Sequence, residues 1–172
     1  MVERVRTACQ VVIALLTGLR SSELAAMPLD PCVPPQNLGA GRTRYRLRTK
    51  LIKGQEQLGG PWDERVTVAP AYDAVALAID LLDPRHPSKH VFGRTTMAKR
   101  CRSLREWVNG PGGQRLGLEP IPDDQINMRI TRRALAMALA HRPGGLLLVS
   151  RPLQSSVPAP GRHSESGQAA GR

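Results

Sequence analysis

A chain of 172 residues is long enough to bury one hydrophobic core, and with only 3% aromatic residues that core has to be built from Leu, Val, Ile and Ala, which suits a mainly helical body with a small sheet. Its 25 Lys and Arg against 14 Asp and Glu leave a net charge of +11, which points to nucleic acid or an acidic membrane surface as partner. Three widely spaced cysteines, Cys9, Cys32 and Cys101, are odd in number and contain no CxxC pair, which indicates neither a disulfide framework nor a zinc site and fits a reducing cytoplasm, and no segment approaches the roughly 20 apolar residues that cross a bilayer.

In chain order, Val5, Ala8, Val12, Leu15 and Leu16 recur at helical spacing and predict a helix ending at Thr17-Gly18, where glycine can take a left-handed conformation. Arg4 and Arg6 precede an apolar run over 11–16, too short for the core of a secretory signal. Ser21 and Ser22 open a second helix, so Arg20 stands at a tight junction with Glu23 close enough to orient it. A guanidinium held this way presents a planar fork that suits two phosphate oxygens; the other reading is an ordinary i,i+3 ion pair with Glu23.

From Pro28 the chain carries Pro31, Pro34, Pro35, Gly39 and Gly41, and reads as a connection with at most a short edge strand. Then Arg42, Arg44, Arg46, Arg48 and Lys50 alternate with Thr43, Tyr45, Leu47, Thr49 and Leu51, a period of two that places the cations on one face and leaves the other to pack. A polar turn over 54–60 and a returning strand over 65–69 complete an antiparallel pair. Pro70 opens a helix to about Leu82, with Ala71, Val75, Ala78, Ile79 and Leu82 inward.

After a short piece over 90–93, Thr95 or Thr96 caps a helix to about Val108 with the stripe Met97, Cys101, Leu104 and Val108. Lys99, Arg100, Arg102 and Arg105 lie mostly elsewhere on it, a face suited to a DNA backbone or simply to solvent. Residues 109–113 read as a glycine-rich turn without the spacing of a nucleotide loop, and His86 and His90 are broken up by Pro84 and Pro87, so no metal or cofactor is expected. In the last helix, over 128–141, Arg129, Arg132 and Arg133 fall at i, i+3 and i+4 on one face, with Ile130, Ala134, Leu135, Ala138 and Leu139 inward. Like charges that close are tolerable under a polyanion or on a solvated face. Beyond Val149 the composition turns to Ser, Pro, Gly and Arg, as in disordered tails.

The run TGLRSSEL over 17–24 resembles the first arginine box of the tyrosine recombinases, the phage-integrase family. Arg129-Ile-Thr-Arg132-Arg133 resembles their second box, and the following ALAMALAHRPGG is similar to the arm of that helix in integrases; the likeness covers roughly residues 5–149. It implies an α+β, predominantly helical DNA breaking-rejoining-type catalytic domain with a small antiparallel sheet over 1–149, and a disordered tail over 150–172 of the kind a shifted reading frame produces. It implies catalytic roles for Arg20, Arg129 and Arg132, and for a hairpin lysine that protonates the leaving 5′ oxygen. Lys53, at the strand end, fits that place better than Lys50, which shares the cationic face. Arg44, Arg46, Arg48, Lys50 and Arg133 would then lie on double-stranded DNA.

Two features depart from the family pattern: Arg129 stands where histidine is usual, and the tyrosines, Tyr45 and Tyr72, both precede the second box, leaving the nucleophile without a counterpart. The N-terminal DNA-clamping domain has none either. The expectation is therefore a cytoplasmic protein of DNA integration and recombination, reduced to DNA binding and inactive as a strand transferase. Its partners would be duplex DNA and other recombinase protomers, without membrane, cofactor or small-molecule substrate. Two alternatives stand beside it: a non-enzymatic basic DNA-binding or regulatory module, and a non-functional integrase remnant from a mobile element.

Overall fold

The structure, a computed structural model, describes residues 1–50, 62–85, 88–93, 97–123 and 128–141. The expected Lys53, the 54–60 turn, the capping Thr95 and Thr96 and the 150–172 tail lie outside these residues. The first helix, α1 (Val2–Thr17), ends where the sequence predicts: Gly18 adopts φ 63 and ψ 20 and its amide reaches Ala14 O at 3.1 Å. Thr17 Oγ1 donates to Ile13 O at 2.6 Å and accepts from the Leu19 amide at 3.3 Å, fixing the exit direction of the chain.

The inward face of α1 differs from the expected one. Cys9, Ile13 and Ala14 are buried, flanked by Thr7, Gln10 and Thr17, whereas Val12, Leu15 and Leu16 are exposed. The helix is apolar on two sides, so periodicity fixes the spacing and leaves the face to the neighbours: α1 packs against α3 (Ala69–Asp80), α4 (Met97–Val108) and α6 (Met128–Ala140).

A five-residue helix, α2 (Ser21–Ala25), leads into an antiparallel sheet of order β1-β2-β3, formed by β1 (Cys32–Asn37), β2 (Thr43–Lys50) and β3 (Trp62–Thr67). Where the sequence suggests a connection with at most a short edge, β1 is a six-residue edge strand. Pro34 and Pro35 offer no amide, and the register with β2 shifts between Val33 and Gln36. The return strand lies earlier than the expected 65–69, ending at Thr67 because Ala69 already opens α3. It pairs Lys50 with Trp62, Thr49 with Asp63 and Leu47 with Arg65.

In α3, Ala71, Val75 and Ala78 are fully buried, with Pro70 in the first turn. Met97, Cys101 and Val108 bury the predicted stripe of α4. Between them, Val91 and Phe92 plug the core, and the Val91 amide is tied to Met27 O at 3.0 Å. The expected turn over 109–113 contains a short helix, α5 (Pro111–Gln114), braced by the Asn109 side chain, which bonds both the carbonyl and the amide of Ile121. The inward side of α6 is Thr131, Arg132, Leu135 and Leu139, one residue round from the expected stripe, so Ile130, Ala134 and Ala138 face out. The whole is an α+β body with a small three-stranded antiparallel sheet. Among the described residues no helix is long and apolar enough to cross a membrane, and no three metal-ligating side chains cluster.

Candidate nucleic-acid interface

The Thr17-Gly18 turn delivers Leu19 into the core at 1% exposure, and the next residue, Arg20, takes an extended backbone with φ −74 and ψ 157 as N-cap of α2. Its side chain therefore leaves a corner anchored on both sides, because Leu24 in the following turn is buried as well. Glu23 is 0% exposed, and its carboxylate accepts the Arg20 amide at 2.8 Å and Arg20 Nη1 at 3.0 Å. A desolvated carboxylate needs such partners, and it has a further one from the sheet. Arg65 Nη2 lies 3.4 Å from Glu23 Oε1, while Arg65 Nε stands 3.2 Å from Asp63 Oδ2.

Arg132 reaches the same place from α6. Burial pushes its guanidinium below the ordinary arginine range; the neighbouring Arg20 and Arg65 act in the same direction, and Glu23 opposes them. Among the described residues, three guanidiniums thus gather near two carboxylates, of which Glu23 is fully buried. That excess of positive charge in a partly desolvated corner is an environment for an oxyanion, to which arginines offer bidentate, charge-assisted bonds.

Of the residues expected at the site, Arg20 and Arg132 come together, and Arg65 joins them without having been singled out. Strand parity groups Asp63, Arg65 and Thr67 on one face, but the apolar Trp62, Val66 and Val68 alternate with them and would be expected inward, so it is the structure that turns Arg65 to the interior. Arg129 and Arg133 are exposed on α6, separated from Arg132 by the turn of the helix. Arg44, Arg46, Arg48 and Lys50 line the outer face of the sheet, as their alternation predicts, but not as bare charge. Arg46 pairs with Glu64 at 2.8 Å, Arg48 approaches it at 3.8 Å, and the Lys50 ammonium sits 5.0 Å over the Trp62 ring.

The basic face expected on α4 is partly structural. Arg100 donates to Phe92 O at 2.8 Å and Arg105 pairs with Asp123 at 2.8 Å, leaving Lys99 and Arg102 exposed. The surroundings of Tyr72 work against its ionisation. The Tyr45 and Tyr72 rings pack at 5.3 Å, and burial followed by the neighbouring Cys32 thiol pushes the Tyr72 phenol above its ordinary value. Fold and site together define an α+β domain in which three arginines gather around a buried carboxylate. No protein-family model, curated protein or solved structure matches this chain.

Proposed function

We propose that this chain binds the DNA backbone in the manner of the tyrosine-recombinase catalytic domains its two arginine motifs resemble. Arg20, Arg65 and Arg132 hold one phosphate, and the outer face of β2, with Arg44, Arg46, Arg48 and Lys50, and the exposed Arg129 and Arg133 of α6, engage its neighbours. The supporting observation is that Arg20 and Arg132, the arginines that two widely separated motifs single out, share one cluster around Glu23. In this reading the cluster supplies charge stabilisation for a phosphoryl group. Strand transfer is not assigned to the described residues, because covalent catalysis of that type needs an activated tyrosine.

The contacts of Glu23 favour a second reading, in which the arginines only neutralise a buried carboxylate and support the fold. Duplex binding separates the two. With about five phosphates engaged at roughly −0.9 each, log affinity against log salt should have a slope of about −4 to −5. A slope near zero leaves the structural reading. On a nicked suicide substrate no covalent protein–DNA adduct should form; an adduct would show that the chain carries a nucleophile and is an enzyme.

A further inference from the structure

A second group of guanidiniums lies at the other end of α1. At 1.5 Å per residue Arg6 stands about 16 Å along the helix from Thr17, and Arg20 lies beyond that, so the two groups are separate. Arg6 donates through Nη2 to Val91 O, and Arg100 donates through Nη2 to Phe92 O at 2.8 Å. These consecutive carbonyls belong to the segment that the Val91 amide pins to Met27 O at 3.0 Å. Both guanidiniums are thereby fixed in position.

Their remaining arms turn toward one carboxylate. Arg6 Nη1 is 2.5 Å from Glu3 Oε1 and Arg100 Nη1 is 3.7 Å from Glu3 Oε2, the side chains being 11%, 13% and 66% exposed in the order Arg6, Arg100, Glu3. At that longer distance no hydrogen bond forms: Arg100 Nη1, and the Nε atoms of both arginines, are buried without a hydrogen-bond partner among the described residues. Burial pushes the Arg100 guanidinium down and Arg6 adds to this, while Glu3 opposes it. Two desolvated cations therefore share one loosely held surface carboxylate. The positive end of α1, whose N-cap makes no side-chain bond, adds to the potential.

We propose that Arg6 and Arg100 form a second anion seat, for a phosphate group, and that the Glu3 carboxylate competes for it. The geometry favours phosphate over carboxylate. Glu3 shows that a planar two-oxygen group closes on one guanidinium and falls short of the other, whereas a tetrahedral group with more acceptor oxygens spans both. Either inorganic phosphate or a phosphate of a nucleic-acid backbone supplies that chemistry.

The test uses the full chain carrying Arg132→Ala, which weakens the first cluster by the same amount in every variant compared, so that differences between variants report on the second. Glu3→Gln is compared with Glu119→Gln, an exposed carboxylate without an ion pair among the described residues, which accounts for the non-specific effect of removing one negative charge. Inorganic phosphate is titrated calorimetrically at constant ionic strength, and a short duplex by fluorescence anisotropy. Beyond the Glu119→Gln control, Glu3→Gln should tighten binding about threefold, the scale of an exposed ion pair. Adding Arg100→Gln should then weaken it about tenfold, as expected for a lost charged hydrogen bond. Tightening for inorganic phosphate alone assigns the seat to the free anion, and tightening for the duplex assigns it to the backbone. Equal responses of Glu3→Gln and Glu119→Gln to both ligands overturn the proposal, and because both are surface substitutions that outcome is decisive even if Arg100→Gln fails to fold.

Discussion

Arg132→Ala and Glu23→Gln, made side by side, separate a phosphate seat from a structural ion network. Arg132 is held among like charges in a desolvated corner, where its own charge is disfavoured. Removing it relieves repulsion and loses some packing of its half-buried stem, so the net change in stability should stay within about 1 kcal/mol of zero. Affinity for duplex DNA should nevertheless fall about tenfold or more, since charged hydrogen bonds contribute about 1.5–3 kcal/mol. Glu23→Gln should behave in the opposite way. It leaves Arg20 and Arg65 facing a neutral amide at a 0% exposed position. Breaking a buried pair costs about 3–5 kcal/mol, which for a domain of this size lowers Tm by about 10 °C. Thermal unfolding by circular dichroism and fluorescence anisotropy at fixed salt read the two quantities. If Arg132→Ala destabilises by more than about 2 kcal/mol with DNA affinity unchanged, Arg132 is a structural partner and holds no phosphate.

Arg129→Ala and Arg133→Ala, both on the exposed side of α6, should each reduce the salt slope of duplex binding by about 1 while leaving Tm unchanged. Gly113→Ala should lower stability by about 3 kcal/mol or more, measured by denaturant unfolding, because its Cβ would lie 1.9 Å from the Val108 carbonyl oxygen, backbone that cannot move aside. Burial pushes the thiols of Cys9, Cys32 and Cys101 above their ordinary value of 9.0, so the unfolded chain loses these protons first. Stability from the neutral thiols is full below that value and is lost as pH rises through the higher folded values. Tm should accordingly fall less steeply between about pH 8 and pH 10 in Cys101→Ala than in the unsubstituted chain.

The local rules written into the sequence set the elements. A glycine with a left-handed φ ends α1, proline at a first turn opens α3, and the alternation over 42–51 makes β2 and turns its cations outward. The same rules leave faces undecided wherever a helix is apolar on more than one side. Val12, Leu15 and Leu16 have the spacing of a core stripe but lie outside, because the side of α1 that carries Cys9, Ile13 and Ala14 meets α3 and α4. In α6 a rotation of one residue sends Arg132 inward and leaves Arg129 and Arg133 in solvent, a choice made by the groups that α6 packs against. For Arg20 the sequence supports both an ion pair and a phosphate fork. Tertiary structure forms the pair with Glu23 and adds Arg65 and Arg132 around the same carboxylate. Motif spacing could name Arg20 and Arg132 separately, but only the folding of α2, β3 and α6 onto one corner makes them a single charge cluster, because Coulomb interactions depend on distance in space and carry no signature in sequence separation.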